Sequence, residues 1–348
     1  MSETPGQDPA TFKAEQRRAW SRAAQGWERW WDTVEQAAQG VSDRLVELAA
    51  VGPGQRVLDV GTGIGEPALT AARRVGPAGR VVALDQAPMM LAVARRRMAS
   101  LGLPNVEFVE GDLDALELTE RFDAIVSRWA LMFSLDVDAT LARLVALLVP
   151  GGRLAAAVWD EAPRVPISSL PSRVIRGALG LPDPAPGVPT PFDLADPALL
   201  VARLERAGLV DVATEWRTVT FEFASTGEFA RFVRDLARPI PELERLPPER
   251  QDSIWAAVAD AAREFADAQG SIRMPNQALL VAGTRPRTAG GGEGSAVTRE
   301  VRCPFCGGAD TRLESAFGST VGFAQYWCDG CRTVFEYLKW DEEPPRGA

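Results

Sequence analysis

Residues 57–65 read VLDVGTGIG, and this stretch decides the fold. The apolar run Val57, Leu58, Val60 ends in glycines at alternate positions, Gly61, Gly63 and Gly65. A strand enclosed on both faces is written as a nearly continuous apolar run. Glycines at its end allow a sharp turn into a helix and let a ligand lie close against the main chain. Strand and helix patterns then alternate. RVVALD (80–85), VEFVEGD (106–112), FDAIVSR (122–128) and RLAAAVW (153–159) read as strands. Helical patterns run to about Arg74, around 88–101 and at about 137–147. This alternation predicts a parallel sheet with helices on both faces.

On the N-terminal side, Lys13 to Ala50 has a helical pattern carrying Trp20, Trp27, Trp30 and Trp31, and Gly52-Pro53-Gly54 breaks it. On the C-terminal side, 160–200 is Pro-rich and irregular, with Leu170, Val174 and Leu179 as helical anchors. A helix at 196–207 leads to the alternating strand DVATEWRTVTFEF (211–223). Helices at about 226–238 and 248–268 follow, and ALLVAGTR (278–285) is the last strand.

Two acids stand at strand ends. Asp85 closes the second strand, where a carboxylate can accept hydrogen bonds from both ribose hydroxyls of a nucleoside. Asp112 closes the third and is placed to meet the adenine edge. The spacing G-x-G-x-G after Asp59 differs from the G-x-G-x-x-G of dinucleotide sites. The second acid and the turn Pro150-Gly151-Gly152 before the fifth strand are further departures.

On VLDVGTGIGEPAL, VVALDQAPMML, VEFVEGDLDAL, FDAIVSRWALMF and LLVPGGRLAAAVW, residues 15–285 resemble the class I S-adenosylmethionine (SAM)-dependent methyltransferases. The resemblance is to their small-molecule branch, related to the ubiquinone/menaquinone C-methyltransferases. It implies an α/β, Rossmann-like fold, with a seven-stranded, mostly parallel sheet and a helical lid. It implies that Gly61, Gly63 and Gly65 contact the methionine part of SAM. Asp85 would hold the ribose and Asp112 the adenine amine, with Ser127 and Arg128 beside the cofactor. Asp59, Thr62, Gln86, Gly111 and Leu113 complete the implied set. Trp27 falls near the place where relatives often carry a lid tyrosine.

What the chain lacks narrows the chemistry. It has no His, and residues 1–300 contain neither Cys nor Tyr. Ser-His-Asp and Cys-His catalysis lack their base, and a His-ligated metal site is excluded. Methyl transfer from a sulfonium mainly needs alignment and exclusion of water, and orientation is worth roughly 7–11 kcal/mol. If a proton must leave the acceptor, the candidate bases are Glu66 after the glycine turn and Asp160 and Glu161 after the fifth strand, with Lys13 as a further option. The expected acceptor is a small molecule already nucleophilic or easily ionised, such as a phenolate, hydroquinone carbon, carboxylate or amine. Its pocket is expected to be built from 13–50 and 160–275, with Trp31, Trp129, Phe133, Phe192 and Phe229 lining it.

The formal charge of −9 opposes a phosphate backbone as partner. No apolar run reaches the ~18 residues of a membrane span. The polar opening MSETPGQDPATFKAEQ carries no apolar signal stretch, so a cytoplasmic protein is expected.

All four cysteines lie near the C-terminus, as CPFC (303–306), 21 residues, then CDGC (328–331). Two C-x-x-C knuckles at this separation predict a structural Zn²⁺ held by Cys303, Cys306, Cys328 and Cys331. Gly307, Gly308 and Gly330 suit the knuckle turns, and the stretch between the knuckles reads as β hairpin. The segment 301–340 also looks like the C-terminal zinc ribbon of PaaD proteins of the phenylacetyl-CoA oxygenase system. FGST, the Tyr326 region and FEYLK carry that likeness. It implies a docking or scaffold module with a possible protein partner.

The expected organisation is a disordered lead (1–12), a methyltransferase domain (13–285), a Gly-rich linker (286–300), the small β ribbon (301–340) and a tail (341–348). Two alternatives stay open. One is an RNA methyltransferase gripping RNA through the ribbon, although 301–348 holds five basic and seven acidic side chains. The other is a non-catalytic accessory protein of an aromatic-degradation complex.

Overall fold

A computed structural model describes residues 9–182, 184, 188–236, 240–287, 303–308, 310–315 and 323–338. Strand β1 (Arg56–Val60) has Val57, Leu58 and Val60 fully buried, as a central strand requires. It lies between β2 (Arg80–Asp85) and β4 (Phe122–Arg128), parallel to both. With β3 (Val106–Glu110), β5 (Leu148–Trp159), β6 (Val210–Phe223) and β7 (Ile272–Thr284), the sheet has seven strands in the order β3-β2-β1-β4-β5-β7-β6. Only β7 runs against its neighbours. The chain winds outward from β1 to β3 and then returns to β4. The order therefore reverses between β1 and β4, where strand ends splay and open sheets bind ligands.

Helices α3 (Ala68–Val75), α4 (Pro88–Ser100) and α5 (Val137–Leu147) make the crossovers. The expected single helix over 13–50 is two. Helix α1 spans Pro9–Arg29, so it starts inside the expected disordered lead, and α2 spans Trp31–Leu48. The break falls at Trp30, whose Nε1 donates to Asp235 Oδ2 at 2.8 Å, beside the Arg29 guanidinium on the same carboxylate at 2.6 Å. Asp235 belongs to α8 (Thr226–Leu236). At Gly26 a Cβ would stand 2.0 Å from the Asp235 carbonyl oxygen, so only glycine lets α1 approach α8 this closely.

Other differences have local causes. Pro150-Gly151-Gly152, expected as a turn, lies within β5 and is absorbed by a bulge. Phe122 pairs with Leu148, whereas Ala124 already pairs with Arg153. Strand β7 begins at Ile272 rather than 278. Pro275 argues against a strand by sequence, yet β5 pairs only from Ala278 onward, so the missing N–H leaves no ladder partner wanting on that side. The irregular 160–200 contains α6 (Pro166–Leu179), which tolerates Pro171 while burying Ile167, Leu170 and Ile175. Helix α7 is Pro197–Arg206. The short α9 (Pro241–Glu244) was not expected, and α10 (Pro248–Ala261) continues as a 3₁₀ turn, Ala262–Phe265.

Residues 1–288 and 289–348 form separate units. In the second, β8 (Thr311–Ser315), β9 (Phe323–Cys328) and β10 (Thr333–Leu338) form a three-stranded antiparallel sheet in the order β10-β9-β8. FGST (317–320), most of the expected linker 286–300 and the tail 341–348 lie outside the described residues.

Candidate functional site

The loop after β1 is shaped by its glycines: Gly61, Gly63 and Gly65 have φ of 73°, 54° and 116°. At Gly61 a Cβ would meet the Ala130 Cβ at 2.2 Å, so the loop packs against the end of β4 as only a bare backbone can. Asp85 braces the loop. Its Oδ2 accepts the Gly63 N–H at 2.8 Å and its Oδ1 the Ala87 N–H at 2.8 Å. Burial pushes this carboxyl up to about 6, against the pull of those N–H groups.

Around the loop is a cavity. Of the residues expected at the cofactor, Gly61, Thr62, Gly63, Asp85, Gln86, Gly111, Leu113, Arg128 and Trp27 line it. Four do not. Asp59 is fully buried beneath the loop and accepts the Ala68 N–H at 2.8 Å, tying β1 to the start of α3. Burial raises it to about 7, opposed by the Thr62 hydroxyl, by that N–H and by Arg128. Gly65 packs toward Met98 and Ala94 on α4. Ser127 Oγ donates to the Val60 carbonyl at 2.9 Å, stitching β4 to β1. Asp112 turns to Lys13 Nζ at 3.0 Å and to the Asp114 N–H at 3.0 Å. Lys13 also pairs with Asp114, and Arg17 of α1 with Glu110. The first helix is thus latched onto the turn after β3. The signal for this latch, a lysine 99 positions from its partner, is invisible locally.

The cavity also gathers Glu35, Met90 and Ala130, which the sequence did not mark, Trp20 of the N-terminal tryptophan cluster, and Phe133, expected at the acceptor. Glu35 of α2 is buried and forms a bidentate pair with Arg128, at 2.7 and 3.1 Å. Arg128 also donates to Ser42 Oγ at 2.9 Å. Glu66 lines the same cavity at 3% exposure. Thr70 Oγ1 lies 2.8 and 3.1 Å from its two carboxylate oxygens. Burial drives the Glu66 carboxyl up to about 7, countered by Arg128 and reinforced by Glu35.

SAM fits these residues. A Cβ on Gly63 would meet nothing within 4 Å, and Thr62, Gln86 and Gly111 line the cavity beside it. A polar ligand has open backbone to lie against. Arg128 and Glu35 cancel each other, so ionised Glu66 and Asp85 leave the cavity net negative. SAM, with a sulfonium, an ammonium and a carboxylate, is net positive.

A second, larger cleft of about 1470 Å³ shares Trp20, Trp27, Trp129 and Phe133 with the cofactor cavity. Trp129 stands at the end of β4 with φ of 58°. Its ring stacks on Trp159 at 4.1 Å and 12°. Trp20 meets Phe133 edge-on at 5.5 Å. Beyond them Trp159, Phe192, Phe221 and Phe232 continue an aromatic wall. Of the expected acceptor residues, Trp129, Phe133 and Phe192 reach this cleft. Trp31 is instead buried under Arg97, whose guanidinium lies 3.3 Å from the ring centroid. Phe229 is fully buried against Phe223.

Asp160 and Glu161 line neither cavity. Asp160 is buried, accepts the Glu161 N–H at 2.7 Å and faces Arg164 at 3.5 Å; it shapes the turn after β5. Glu161 is exposed.

In the second unit the sulfurs of Cys303, Cys306, Cys328 and Cys331 all lie within 4.8 Å of one another. The pairs Cys303–Cys331 and Cys306–Cys328 are at 3.5 and 3.6 Å, too far for disulfides. A tetrahedron of Zn–S bonds near 2.3 Å has edges of about 3.8 Å, so the four thiols suit a structural zinc. Both knuckles close alike: Gly307 N–H donates to the Cys303 carbonyl and Arg332 N–H to that of Cys328, each at 2.8 Å. The left-handed residue of the first knuckle is Gly307 (φ 73°). In the second it is Arg332 (φ 59°), not Gly330.

Fold and site together define the class of the protein: a SAM-dependent methyltransferase carrying a zinc ribbon. A family model for a methyltransferase domain matches residues 57–152, and one for the PaaD zinc beta ribbon domain matches 288–339. The ubiquinone/menaquinone biosynthesis C-methyltransferase UbiE of Ectopseudomonas oleovorans is 34% identical over 130 residues, covering 35% of this chain and 76% of the relative. UbiE of Pseudomonas putida is 35% identical over 131 residues, covering 36% of this chain and 51% of that protein. A structure of Haemonchus contortus phosphoethanolamine N-methyltransferase 2 with SAM aligns with a TM-score of 0.47 at 18% identity, covering 74% of this chain and 57% of that one. The chain belongs to the family of SAM-dependent methyltransferases that includes UbiE. It spans about half the length of the first curated relatives it matches. Among the described residues, no helix is long and apolar enough to cross a membrane.

Proposed function

We propose that the protein transfers a methyl group from SAM to a small, flat, apolar acceptor of aromatic or quinone-like character. The observation that carries this reading is the shared neck: Trp20, Trp27, Trp129 and Phe133 line both the cofactor cavity and the aromatic cleft. Bound SAM supplies an electrophilic methyl group on a sulfonium. The chain's task is then to align an acceptor in the cleft and to keep water from the neck, and aromatic walls do both.

Glu66 lines the cofactor cavity and not the cleft, which favours holding the cofactor's ammonium over deprotonating the acceptor. Glu15 is the one carboxylate among the residues lining the cleft, and it is exposed. Arg17, Arg18, Arg22 and Arg176 also line it. A cleft with more cations than anions lowers the pKa of a phenol or hydroquinone within it, so the acceptor itself provides the nucleophile. The names of the relatives, C-methyltransferases of quinone biosynthesis, point to the same chemistry. The zinc ribbon, a closed four-thiolate site with no open position for catalysis, serves docking to a protein partner in this reading.

Incubation of the purified protein with SAM and a panel of phenols, hydroquinones and reduced quinones, read by mass spectrometry, tests the proposal. It expects a product heavier by one methylene unit from a member of the panel. SAM binding without a methylated product from any of them would overturn the acceptor class. No SAM binding in calorimetry would overturn the activity.

A further inference from the structure

The charged residues lining the cleft are exposed or half-buried, and among its fully buried residues one is polar. Gln16 of α1 is 3% exposed, lines the cleft, and has no hydrogen-bond partner for either Oε1 or Nε2 among the described residues. A buried, unsatisfied amide costs about 1–3 kcal/mol per group, so proteins keep few of them. Leucine or methionine at this position would pack the same helix face without that cost. Gln16 stands one turn from Trp20, and with Trp27 farther along they make one face of α1 turned toward the cleft. The indole Nε1 atoms of Trp27 and Trp129, at the neck, are likewise buried and unpartnered. With Arg176 Nε, also buried and unpartnered, four side chains around one aromatic chamber have polar atoms left waiting, and they mark a ligand that is flat and apolar over most of its surface and oxygenated at its edge.

We propose that Gln16 is the specificity-determining contact for the acceptor. Its carboxamide hydrogen-bonds an oxygen substituent, hydroxyl or carbonyl, on a ring buried in the cleft. The amide offers two donor hydrogens and one acceptor oxygen, so it pairs with a carbonyl, a phenolate or a neutral hydroxyl. A ring bearing a methyl group in the same place leaves the amide unpaired and is rejected, because a site built around a hydrogen bond penalises the analogue that lacks it. The inference rests on the cleft being the acceptor site of the proposed reaction, and it is read by binding rather than by turnover.

Equilibrium dialysis of 2-naphthol and of 2-methylnaphthalene, which keeps the ring and replaces the hydroxyl by a methyl group, separates the possibilities. The full chain is compared with Gln16→Met and Gln16→Leu, and SAM calorimetry reports the integrity of the neighbouring cavity in each. The wild-type protein is expected to prefer 2-naphthol by about tenfold or more. Both variants are expected to lose that preference and to bind 2-methylnaphthalene more tightly than the wild type does, with SAM affinity unchanged. A role confined to packing would weaken both ligands together. Equal preference in wild type and variants, no preference in the wild type, or no binding of either ring by a protein that binds SAM would each overturn the assignment. Failure of the wild type to bind SAM, with the Gln16-dependent preference intact, would instead overturn the methyltransferase reading and leave the pocket assignment standing.

Discussion

Replacement of Glu66 by glutamine should make the protein more stable at pH 8 and leave it nearly unchanged at pH 4. The Glu66 carboxyl is raised from 4.5 to about 7 by burial. A native pKa above the unfolded one lends stability at low pH that is lost as pH rises from about 4.5 to about 7. The displacement corresponds to roughly 3 kcal/mol at pH 8, at 1.36 kcal/mol per unit. Glutamine keeps an acceptor for the Thr70 hydroxyl and carries no charge to desolvate, so it avoids most of that cost. In a unit of this size about 1 kcal/mol shifts Tm by roughly 2–4 °C, so a gain of about 5–10 °C is expected at pH 8. Asp59 and Asp85 titrate in both proteins, so the difference between the two melting curves isolates Glu66. Differential scanning calorimetry from pH 4 to 8 is the assay. A variant that melts at or below the wild-type temperature at pH 8, or by the same margin at both pH values, would refute the reasoning. The same substitution should weaken SAM about tenfold at pH 8, because it removes a negative charge from a cavity built for a cation.

Four further outcomes follow from the geometry. Gly61→Ala places a methyl group 2.2 Å from Ala130 Cβ at φ 73°, and should abolish SAM binding in calorimetry at a stability loss of about 2–4 kcal/mol. Lys13→Ala releases the latch on Asp112 and Asp114 and should speed tryptic cleavage within α1 about fivefold at constant global Tm. Arg332→Gly relieves a non-glycine residue at φ 59°, and should raise ribbon stability by about 1 kcal/mol, read as slower zinc loss to a chromogenic chelator. Stripping the zinc should erase amide protection across 303–308, 310–315 and 323–338, with no effect on the melting of the first unit.

The parts of the site legible in the sequence are those fixed by neighbours in the chain. The glycine loop and Asp85 announce themselves because a turn at a strand end needs residues of those types at that spacing. The cysteine knuckles do the same, since their ligand geometry is local. What could not be read is assembled across distance. Asp112 looks available until Lys13 arrives from α1, and Glu35 looks like a solvated helix residue until α2 sets it against Arg128. Aromatic residues carry no address. Trp31 and Phe229 have the same chemistry as Trp129 and Phe133, and only packing sends one pair into the core and the other to the neck. Asp160 and Glu161 follow a strand end as Asp85 does, but Asp160 is taken up by the Glu161 N–H and Arg164, and Glu161 is exposed.

Because α1 supplies wall to both cavities and is anchored through Trp30 to Asp235, the chamber is closed by partners 205 positions apart. A ribosome adding about 5–20 residues per second reaches Asp235 some 10–40 s after Trp30. During that interval Trp20 can meet Phe133, but the far wall of the cleft, with Phe192, Phe221 and Phe232, is still being made. Completion of the enzyme is thus a late event in its own synthesis, and chaperones have that interval in which to hold the helix.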